Sequence, residues 1–348
     1  MSVVRYGVLG CGNISKSHCD AVLKATGAEL IGVCDEVSTK LTARAEEYSV
    51  PGFTNFDALL KEVDAVLVCL PSGKHSDYTV RAAAAGKHVL TEKPLDITLA
   101  NGLRMVEAAE AAGVKLGCIS QHRFARDIRR LHDAAQSGEL GTLLQGDSIT
   151  KWYRSQGYYD SAGWRGTWAM DGGGALMNQS VHYIDMIQWI MGGVKAVQAQ
   201  TRTGMHNIEV EDSAMAMVEY HNGAAGFIQG STSFYPGLSE RLEVHGTKGT
   251  VVIEGDRAKV WVTKETSEHE AFGPSVTLGK DHELDEDPTA PFHVQHGLQI
   301  QDFTDAILED RAPFVTGRAA LEPLKVILAI YESSRRGGER VELAELTA

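Results

Sequence analysis

The chain of 348 residues has little positive charge for its length. Lysine and arginine together number 33 against 46 aspartates and glutamates, which gives a formal net charge of −13 at pH 7. Nucleic acid and anionic membrane surfaces bind proteins with clustered positive charge, and here the negative excess is spread along the chain. The charge balance therefore argues against both as partners.

Long apolar runs are also lacking, and cysteine is scarce. The sequence shows no stretch of about 20 apolar residues that would span a bilayer, and it opens without the features of a signal peptide. Its five cysteines have no paired spacing, and Cys34, Cys69 and Cys118 lie in apolar, strand-like runs. This pattern favours buried free thiols in a reducing compartment over a disulfide framework. We therefore expect a protein of the cytoplasm.

The first third of the chain alternates short apolar segments with alanine-rich helical ones. Such alternation, with glycines at helix ends, predicts parallel βαβ units in a doubly wound sheet. Because 348 residues exceed one comfortable core, we predict a dinucleotide-binding Rossmann domain over 1–120 and a second domain over 121–348. The strands of the first domain are predicted at 6–9, 29–34, 65–70, 88–90 and 115–119, with helices at 76–85 and 99–112.

Beyond residue 120 the pattern changes to longer extended segments with a few helices. Two β-like runs, 213–220 and 224–233, flank Asn222 and Gly223, and Asn-Gly favours a hairpin because both residues tolerate positive φ. We therefore predict an α+β domain with a large, mostly antiparallel sheet, which makes the chain α/β overall. Its other predicted elements are helices at 127–136, 174–191, 293–308 and 319–335, a strand at 143–153, and a polar surface excursion at 263–291.

A glycine-rich turn follows the first predicted strand. Gly10 and Gly12 match the first two glycines of G-x-G-x-x-G, and Ser15 stands in the third place. The first glycine makes a tight turn and the second lets the backbone approach a pyrophosphate. The helix N-terminus, which begins at Asn13 and Ile14, would bind the charge of that group. The turn predicts a dinucleotide-binding site.

The type of dinucleotide depends on Asp35, which ends the second predicted strand 25 positions after Gly10. A carboxylate at this place accepts hydrogen bonds from both ribose hydroxyls and repels a 2′-phosphate. Glu36 adds to the repulsion, whereas Lys40 is a positive charge that could pair with a 2′-phosphate. The sequence therefore predicts NAD in preference to NADP.

Three further motifs carry a family resemblance. They are E-K-P at 92–94, P-S-G-K-H at 71–75, and G-G-G at 172–174 ahead of His182. Together they resemble the glucose-fructose oxidoreductase, inositol dehydrogenase and rhizopine catabolism protein family, Gfo/Idh/MocA, across essentially the whole chain. The resemblance implies an NAD(P)-dependent dehydrogenase or reductase that acts on a hydroxyl or keto group of a sugar, sugar derivative or cyclitol. On the side of the cofactor it places Pro71, Ser72, His75, Glu92 and Lys93.

The same resemblance implies the catalytic residues. It places Lys93 beside the nicotinamide and the reacting carbon, where an ammonium can polarise a carbonyl or hold a developing alkoxide. Many relatives have an aspartate four residues before His182, but this chain has Asn178, and an amide cannot take a proton. His182 is therefore the predicted general acid or base. Helical spacing puts both residues on one face with Asp185, which supports His182 or caps a structural network.

An aromatic and basic cluster precedes the glycine run. Aromatic faces stack on the C–H surfaces of sugars, and arginine and tyrosine donate to hydroxyls, although an aromatic core explains some of these rings equally well. The predicted substrate-contacting residues are Asn178, Tyr153, Arg154, Tyr158, Trp164, Arg165, His122 and Arg123.

The sequence is also compatible with other functions. A metal enzyme is one, but no metal is predicted, because the imaginable ligands form no recognised zinc signature: His182, Asp185, His206 and Asp212. An NAD-dependent glycoside hydrolase that works by transient oxidation would show no net nicotinamide turnover. A non-catalytic NAD or sugar sensor would need neither Lys93 nor His182. For the assembly, the resemblance implies a homodimer or homotetramer that pairs through the open face of the C-terminal sheet.

Overall fold

A computed structural model describes residues 3–264 and 294–347. In this part of the chain two sheets form, one of six strands and one of eight. The predicted surface excursion at 263–291 lies almost entirely outside the described residues. Within them, no helix is both long and apolar enough to cross a membrane.

The first sheet is parallel and has the strand order β3-β2-β1-β4-β5-β6. Its central strands are apolar along their whole length because helices cover both faces, and every residue of 65–68 is buried. The predicted Rossmann architecture is confirmed. The strands are β1 (Val4–Leu9), β2 (Ala28–Cys34), β3 (Gly52–Phe53), β4 (Ala65–Val68), β5 (His88–Thr91) and β6 (Leu116–Cys118).

The direction of strand order reverses between β1 and β4, and such a reversal opens a crevice at the carboxyl ends of the strands. The glycine-rich turn follows β1 at this edge, and the 71–75 motif follows β4. Helices connect the strands, and each predicted helix is present with small shifts at its ends. They are α1 (Asn13–Lys24), α2 (Ser38–Tyr48), α3 (Phe56–Glu62), α4 (His75–Ala84) and α5 (Leu99–Ala112).

The second sheet has the order β13-β12-β11-β7-β10-β9-β8-β14. Among its described pairs, β7 and β10 run parallel and the others antiparallel, as predicted for a mostly antiparallel sheet. The predicted hairpin is present, with Gly223 at φ 86° in its turn. The strands are β7 (Leu143–Lys151), β8 (Val194–Arg202), β9 (Ser213–Tyr220), β10 (Ala225–Ser231), β11 (Arg241–Gly246), β12 (Gly249–Glu254), β13 (Arg257–Thr263) and β14 (Val341–Glu342).

One face of this sheet packs on helices and the other is open. Along β9, Ala214, Ala216 and Val218 are buried, whereas Met215 and Met217 between them are 64% and 68% exposed. Side chains of a strand alternate between faces, so the open face carries the two methionines. The remaining helices are α6 (Arg126–Ser137), α7 (Gln156–Asp160), α8 (Val181–Ile190), α9 (Val294–Leu308) and α10 (Gly317–Arg335).

Helix α9 returns to the first sheet although it comes late in the chain. Its Ile300 and Phe303 belong to the same buried cluster as the side chains of β1. The hydroxyls of Tyr6 and Thr304 form a buried hydrogen bond of 2.9 Å. The domain boundary near residue 120 stays a prediction, but the core of the first sheet includes residues from well beyond it.

The five cysteines are buried free thiols, as the sequence predicts. The expected cytoplasmic location stays a prediction.

Candidate active site

The glycine-rich turn has the geometry of a pyrophosphate cradle. Gly10 has φ 94°, and a Cβ added there would lie 2.5 Å from the carbonyl oxygen of Cys69. Gly12 is the N-cap of α1, and among the described atoms nothing lies within 4 Å of a Cβ added to it. Ser15 replaces the third glycine without conflict, because its buried hydroxyl donates to the Gly12 carbonyl at 2.6 Å. The space over the helix N-terminus fits an anionic group.

The carboxylate of Asp35 lies across this turn at the end of β2. It accepts hydrogen bonds from the backbone N–H groups of Cys11 and Val37, each at 2.7 Å. A cavity of about 290 Å³ lies beside Cys11 and is lined also by Lys40 and Arg44. The fixed carboxylate next to open space fits the ribose of NAD, with Asn13 and Ile14 in the first turn of α1.

His75 joins two loops of the cofactor crevice. It is fully buried, with Nδ1 2.9 Å from the carbonyl oxygen of Pro94 and Nε2 2.9 Å from that of Leu70. Pro71 and Ser72 lie between these anchors, in the loop that opens the crevice. Because both ring nitrogens face backbone carbonyls, His75 holds these loops in place, and its place on the side of the cofactor stays a prediction.

Glu92 is a buried residue that supports the loop of Lys93. Its Oε1 lies 2.7 Å from His18 Nε2, and its Oε2 accepts from the backbone N–H of Lys93 at 3.1 Å. Burial alone would raise the pKa of Glu92, but the hydrogen bond and charge of His18 outweigh it and lower the pKa to about 2. In the described chain, potential metal-ligand atoms of His18, Glu92 and His296 lie within 4.8 Å of one another. Glu92 is thus an ionised group beneath the Lys93 loop.

Lys93 reaches from the end of β5 to the second domain. Its Nζ donates to the backbone carbonyl of Asn178 at 2.8 Å and lies 3.5 Å from the side-chain oxygen of the same residue. The Lys93–Pro94 bond is cis. Withdrawal from water lowers the pKa of the Lys93 ammonium, while Glu92 and Asp171 oppose the shift. The ammonium stands at the boundary of the two domains.

The segment that presents Asn178 is a π-helical turn over Ala175–Ser180, which continues directly into α8. The predicted helix at 174–191 is therefore present, but its first turns close i→i+5 hydrogen bonds. Regular helical spacing does not apply across the junction. Asn178 and His182 line one cavity, and His182 and Asp185 line another.

The glycine run allows this turn to pack closely. A Cβ added to Gly173 would lie 2.1 Å from the hydroxyl oxygen of Tyr331, and one added to Gly174 would lie 1.8 Å from the backbone oxygen of Glu211. The Glu211 carboxylate accepts from the backbone N–H groups of Gly174 and Leu176 at 2.9 and 2.8 Å. Burial raises the pKa of Glu211 to about 7. Sequence reasoning missed Glu211.

His182 lies next to a second histidine. Its ring centroid is 4.8 Å from that of His122, whose Nδ1 is 2.5 Å from Asp256 Oδ2. Asp256 has φ 67° in the turn between β12 and β13, and a positive φ at a non-glycine residue is uncommon outside functional or tight turns. Burial and the charges of His122 and Lys93 hold the pKa of His182 well below its usual value.

Asp185 caps a structural network, which was one of its two predicted roles. Its carboxylate accepts hydrogen bonds from the Arg123 guanidinium, at 2.7 Å from Nε, and from the Ser120 hydroxyl. Arg123 is buried in this ion pair and packs 4.8 Å over Trp189. Arg123 was predicted to contact substrate, but it is paired with Asp185 through Nε and Nη2 and does not line the cavity that Asn178 and His182 share.

A cavity of about 190 Å³ lies between the two sheets and brings most of the predicted residues together. Besides Arg123, three residues predicted to contact substrate do not line it. The ring centroid of Tyr153 lies 5.2 Å from that of Tyr235, and Trp164 packs against Arg165. The predicted residues that line the cavity are Lys93, His122, Arg154, Tyr158, Asn178 and His182.

Five other lining residues were not predicted as site residues: Gln121, Trp152, Gln179, Tyr183 and Glu240. The position of Trp152 could have been inferred from the alternation of side chains along an extended segment. The extended chain continues past β7, with Trp152 N–H bonded to the Ser231 carbonyl, so side chains alternate there. Trp152 and Arg154 therefore face the cavity while Tyr153 faces away.

The four residues considered as metal ligands do not form one cluster. His206 lies against Asp212, with Nδ1 3.0 Å from Oδ2, and its Nε2 is 2.8 Å from the carbonyl oxygen of Arg154. Asp185 is occupied by Arg123, and His182 faces the cavity.

Family comparison agrees with this geometry. Residues 4–119 match the model of an oxidoreductase family with an NAD-binding Rossmann fold, and residues 128–252 match the Gfo/Idh/MocA C-terminal domain. The chain belongs to the Gfo/Idh/MocA family. It is an NAD-binding oxidoreductase, as the glycine turn and Asp35 predicted.

Individual relatives are similar along their whole length. The chain is 30% identical to the D-glucoside 3-dehydrogenase of Escherichia coli, covering 98% of each sequence. It is 26% identical to the scyllo-inositol 2-dehydrogenase (NAD(+)) of Bacillus subtilis, covering 96% of this chain and 95% of that one. A crystal structure of the WlbA dehydrogenase from Bordetella pertussis, in complex with NADH and UDP-GlcNAcA, superposes with a TM-score of 0.88 at 32% identity. It covers 100% of this chain and 99% of that one.

The two glycines of the cofactor turn predict different mutant phenotypes. Gly12→Ala points a methyl group into the cradle, so we expect the Kd for NAD to rise about tenfold or more, with little change in Tm. Gly10→Ala clashes with the Cys69 carbonyl at positive φ, so we expect it to lower stability by about 1–3 kcal/mol. Calorimetric titration with NAD and thermal unfolding measure both effects.

A matched control is Gly163→Ala, because a Cβ there also meets open space among the described atoms but lies in the 161–170 loop. We expect this variant to bind NAD like the unmodified protein. An unchanged Kd in Gly12→Ala would show that the cofactor does not pass over this helix terminus.

Proposed function

We propose that this protein is an NAD(H)-dependent dehydrogenase or reductase of a hydroxyl or keto carbon in a sugar, sugar derivative or cyclitol, with Lys93 and His182 at that carbon. The observation that carries the proposal is the meeting of Lys93, Asn178 and His182 on one cavity at the carboxyl edge of the first sheet. The named activities of the D-glucoside and scyllo-inositol dehydrogenases support the substrate class.

His182 is the proposed proton acceptor. A bound nicotinamide would supply the hydride acceptor for oxidation of the carbinol carbon and, as NADH, the hydride donor for reduction of the carbonyl. Because the pKa of His182 is lowered by burial, the ring is neutral at neutral pH and holds a free lone pair for the hydroxyl proton. Lys93 donates a hydrogen bond to the substrate oxygen as its negative charge develops.

Asn178 is the proposed orienting group. Its side-chain nitrogen donates to Asp171 Oδ1 at 2.7 Å, which turns its oxygen towards Lys93. Burial raises the pKa of Asp171, and the backbone N–H of Gly166 fixes the other carboxylate oxygen at 2.9 Å. This chain supports Lys93 with an amide and a buried acid, where many relatives have an aspartate in the place of Asn178.

The first test is NAD reduction with a panel of inositols, aldoses, anhydrosugars and glycosides. We expect steady reduction by one polyol class, and we expect Lys93→Ala to lower kcat/KM by about 10²–10³ because the developing charge loses its donor. Lys61→Ala, an exposed lysine at the end of α3, is the matched control and keeps full activity.

Two other results would contradict the proposal. NAD-stimulated release of an aglycone without net NAD reduction would indicate a glycoside hydrolase that oxidises its substrate transiently. Binding of NAD and sugar without any turnover, unaffected by Lys93→Ala, would indicate a sensor.

The lowered pKa of His182 predicts the acidic limb of the pH profile. Only the neutral ring accepts a proton, and its pKa lies well below 6.5. We therefore expect kcat/KM for oxidation to stay level from neutral pH down past 6.5 and to fall only in more acidic buffer, a limb that His182→Gln abolishes together with most of the activity. A midpoint at or above 6.5 would exclude His182 as the base.

We also propose that the protein forms a homodimer or homotetramer through the open face of the second sheet. Met215, Met217 and Phe227 are exposed there, beside a groove of about 530 Å³ that Gln198 and Gln229 also line. Contiguous exposed apolar side chains commonly mark protein interfaces.

A charge on this face tests the assembly. We expect Met217→Glu to reduce the mass seen in sedimentation velocity, because a carboxylate is costly to bury between subunits. Leu23→Glu, at a position 60% exposed on α1, is the control that keeps the assembly. A monomeric unmodified protein, or an unchanged mass in Met217→Glu, would contradict the interface.

A further inference from the structure

Two arginines lie against the ring of one tyrosine at the cavity wall. The guanidinium carbons of Arg154 and Arg165 lie 5.0 and 4.4 Å from the ring centroid of Tyr158. The same carbons lie 4.9 Å from the ring centroid of Trp152 for Arg154 and 4.6 Å from that of Trp164 for Arg165. Stacking on aromatic faces holds each planar guanidinium in place. The two cations are therefore close together and fixed before any ligand arrives.

Neither guanidinium has a counterion in the part of the chain that the structure describes. Arg165 donates through Nη1 to the Tyr158 hydroxyl at 2.5 Å, and its Nε is buried without a hydrogen-bond partner among the described atoms. The Nε of Arg154 is likewise buried without a hydrogen-bond partner among the described atoms. Both side chains are only partly buried, but a buried guanidinium nitrogen without an acceptor is costly, and a bound anion can supply that acceptor.

The acids nearby are engaged by other groups. Asp171 accepts from Asn178 and from the Gly166 backbone, and Asp256 is bound to His122. Glu240 also lines the cavity, and burial raises its pKa, which weakens it as a counterion. Asp171 still attracts Arg165 electrostatically, so it is chiefly the positive charge of Arg154 that is left for something that enters the cavity.

We infer that the substrate carries an anionic group, a carboxylate or a phosphate, which Arg154 binds directly and the charge of Arg165 behind Tyr158 attracts, while its reacting carbon faces Lys93 and His182. Arginine forks match the paired oxygens of both groups and form charge-assisted hydrogen bonds to them. Arg154 lines the same cavity as the two proposed catalytic residues, so one sugar derivative can occupy both places. This inference rests on the proposed function and narrows its substrate class to acidic sugars.

The test compares each acidic sugar with a neutral partner. Glucuronate is compared with glucuronamide, and glucose 6-phosphate with glucose, both as equilibrium binding to the NAD-loaded protein and as NAD reduction. We expect at least one acid to be preferred over its neutral partner by about tenfold or more. The first pair reports a carboxylate site and the second a phosphate site.

Variants connect the preference to the arginines. We expect Arg154→Gln to bring the ratio of acid to neutral partner close to one, and Arg154→Lys to keep part of it, because the charge stays but the fork is lost. Arg130→Gln, an exposed arginine that stacks on Trp261 in the second domain, changes the net charge equally and keeps the ratio.

The outcomes separate this inference from the proposed function. Equal affinity within both pairs, or a preference that Arg154→Gln leaves intact, overturns the anion site even if neutral sugars reduce NAD. A preference that depends on Arg154 without any NAD reduction would support the anion site and contradict the proposed oxidation of these sugars.

Discussion

The hydrogen bond from the Lys93 ammonium to the Asn178 carbonyl is the contact on which the site depends. A cation partly withdrawn from water needs an acceptor, and the acceptor here belongs to the other domain. The end of β5 and the start of α8 are therefore held at a fixed separation. The π-helical turn, the Glu211 carboxylate beneath it and the glycines that permit its close packing all serve to bring that carbonyl within reach.

Buried polar groups hold the loops around this contact. Glu92 is bound by His18, His75 links the loops after β4 and β5, and Asp185 binds Arg123 beside His182. Removing one member of a buried charged pair leaves the other without a partner, at a cost of about 3–5 kcal/mol. None of these side chains needs to contact substrate to be important, because each one holds a loop or helix that carries a proposed site residue.

Much of the fold was predictable because its signals are local. The glycine turn, Asp35 at a strand end, the Asn222-Gly223 hairpin and the alternation of strands and helices are written within a few residues, and the structure and family comparison confirm the fold class and NAD. Lys93 and His182 were predicted through motif resemblance, and their catalytic roles stay predictions.

The remaining part of the site arises from contacts between distant segments. Asp256 reaches His122 from a hairpin turn more than a hundred residues later in the chain, and no pattern near either residue indicates the pair. Arg123 and His75 were assigned to the site through the family resemblance, and no sequence pattern indicates their partners Asp185, Pro94 and Leu70. The π-helical turn that presents Asn178 was not predicted, because apolar spacing does not distinguish it from an α-helical one.

The return of α9 to the first sheet has a consequence for how the chain folds as it is made. Tyr6 lies in β1 near the start of synthesis, yet its buried hydroxyl partner, Thr304, is translated after nearly the whole second domain. Domains commonly fold in order as they leave the ribosome, beginning with the N-terminal one. Here the nucleotide-binding half emerges first but completes its core late, so its apolar surface beside β1 stays uncovered until α9 has been translated and docks on it.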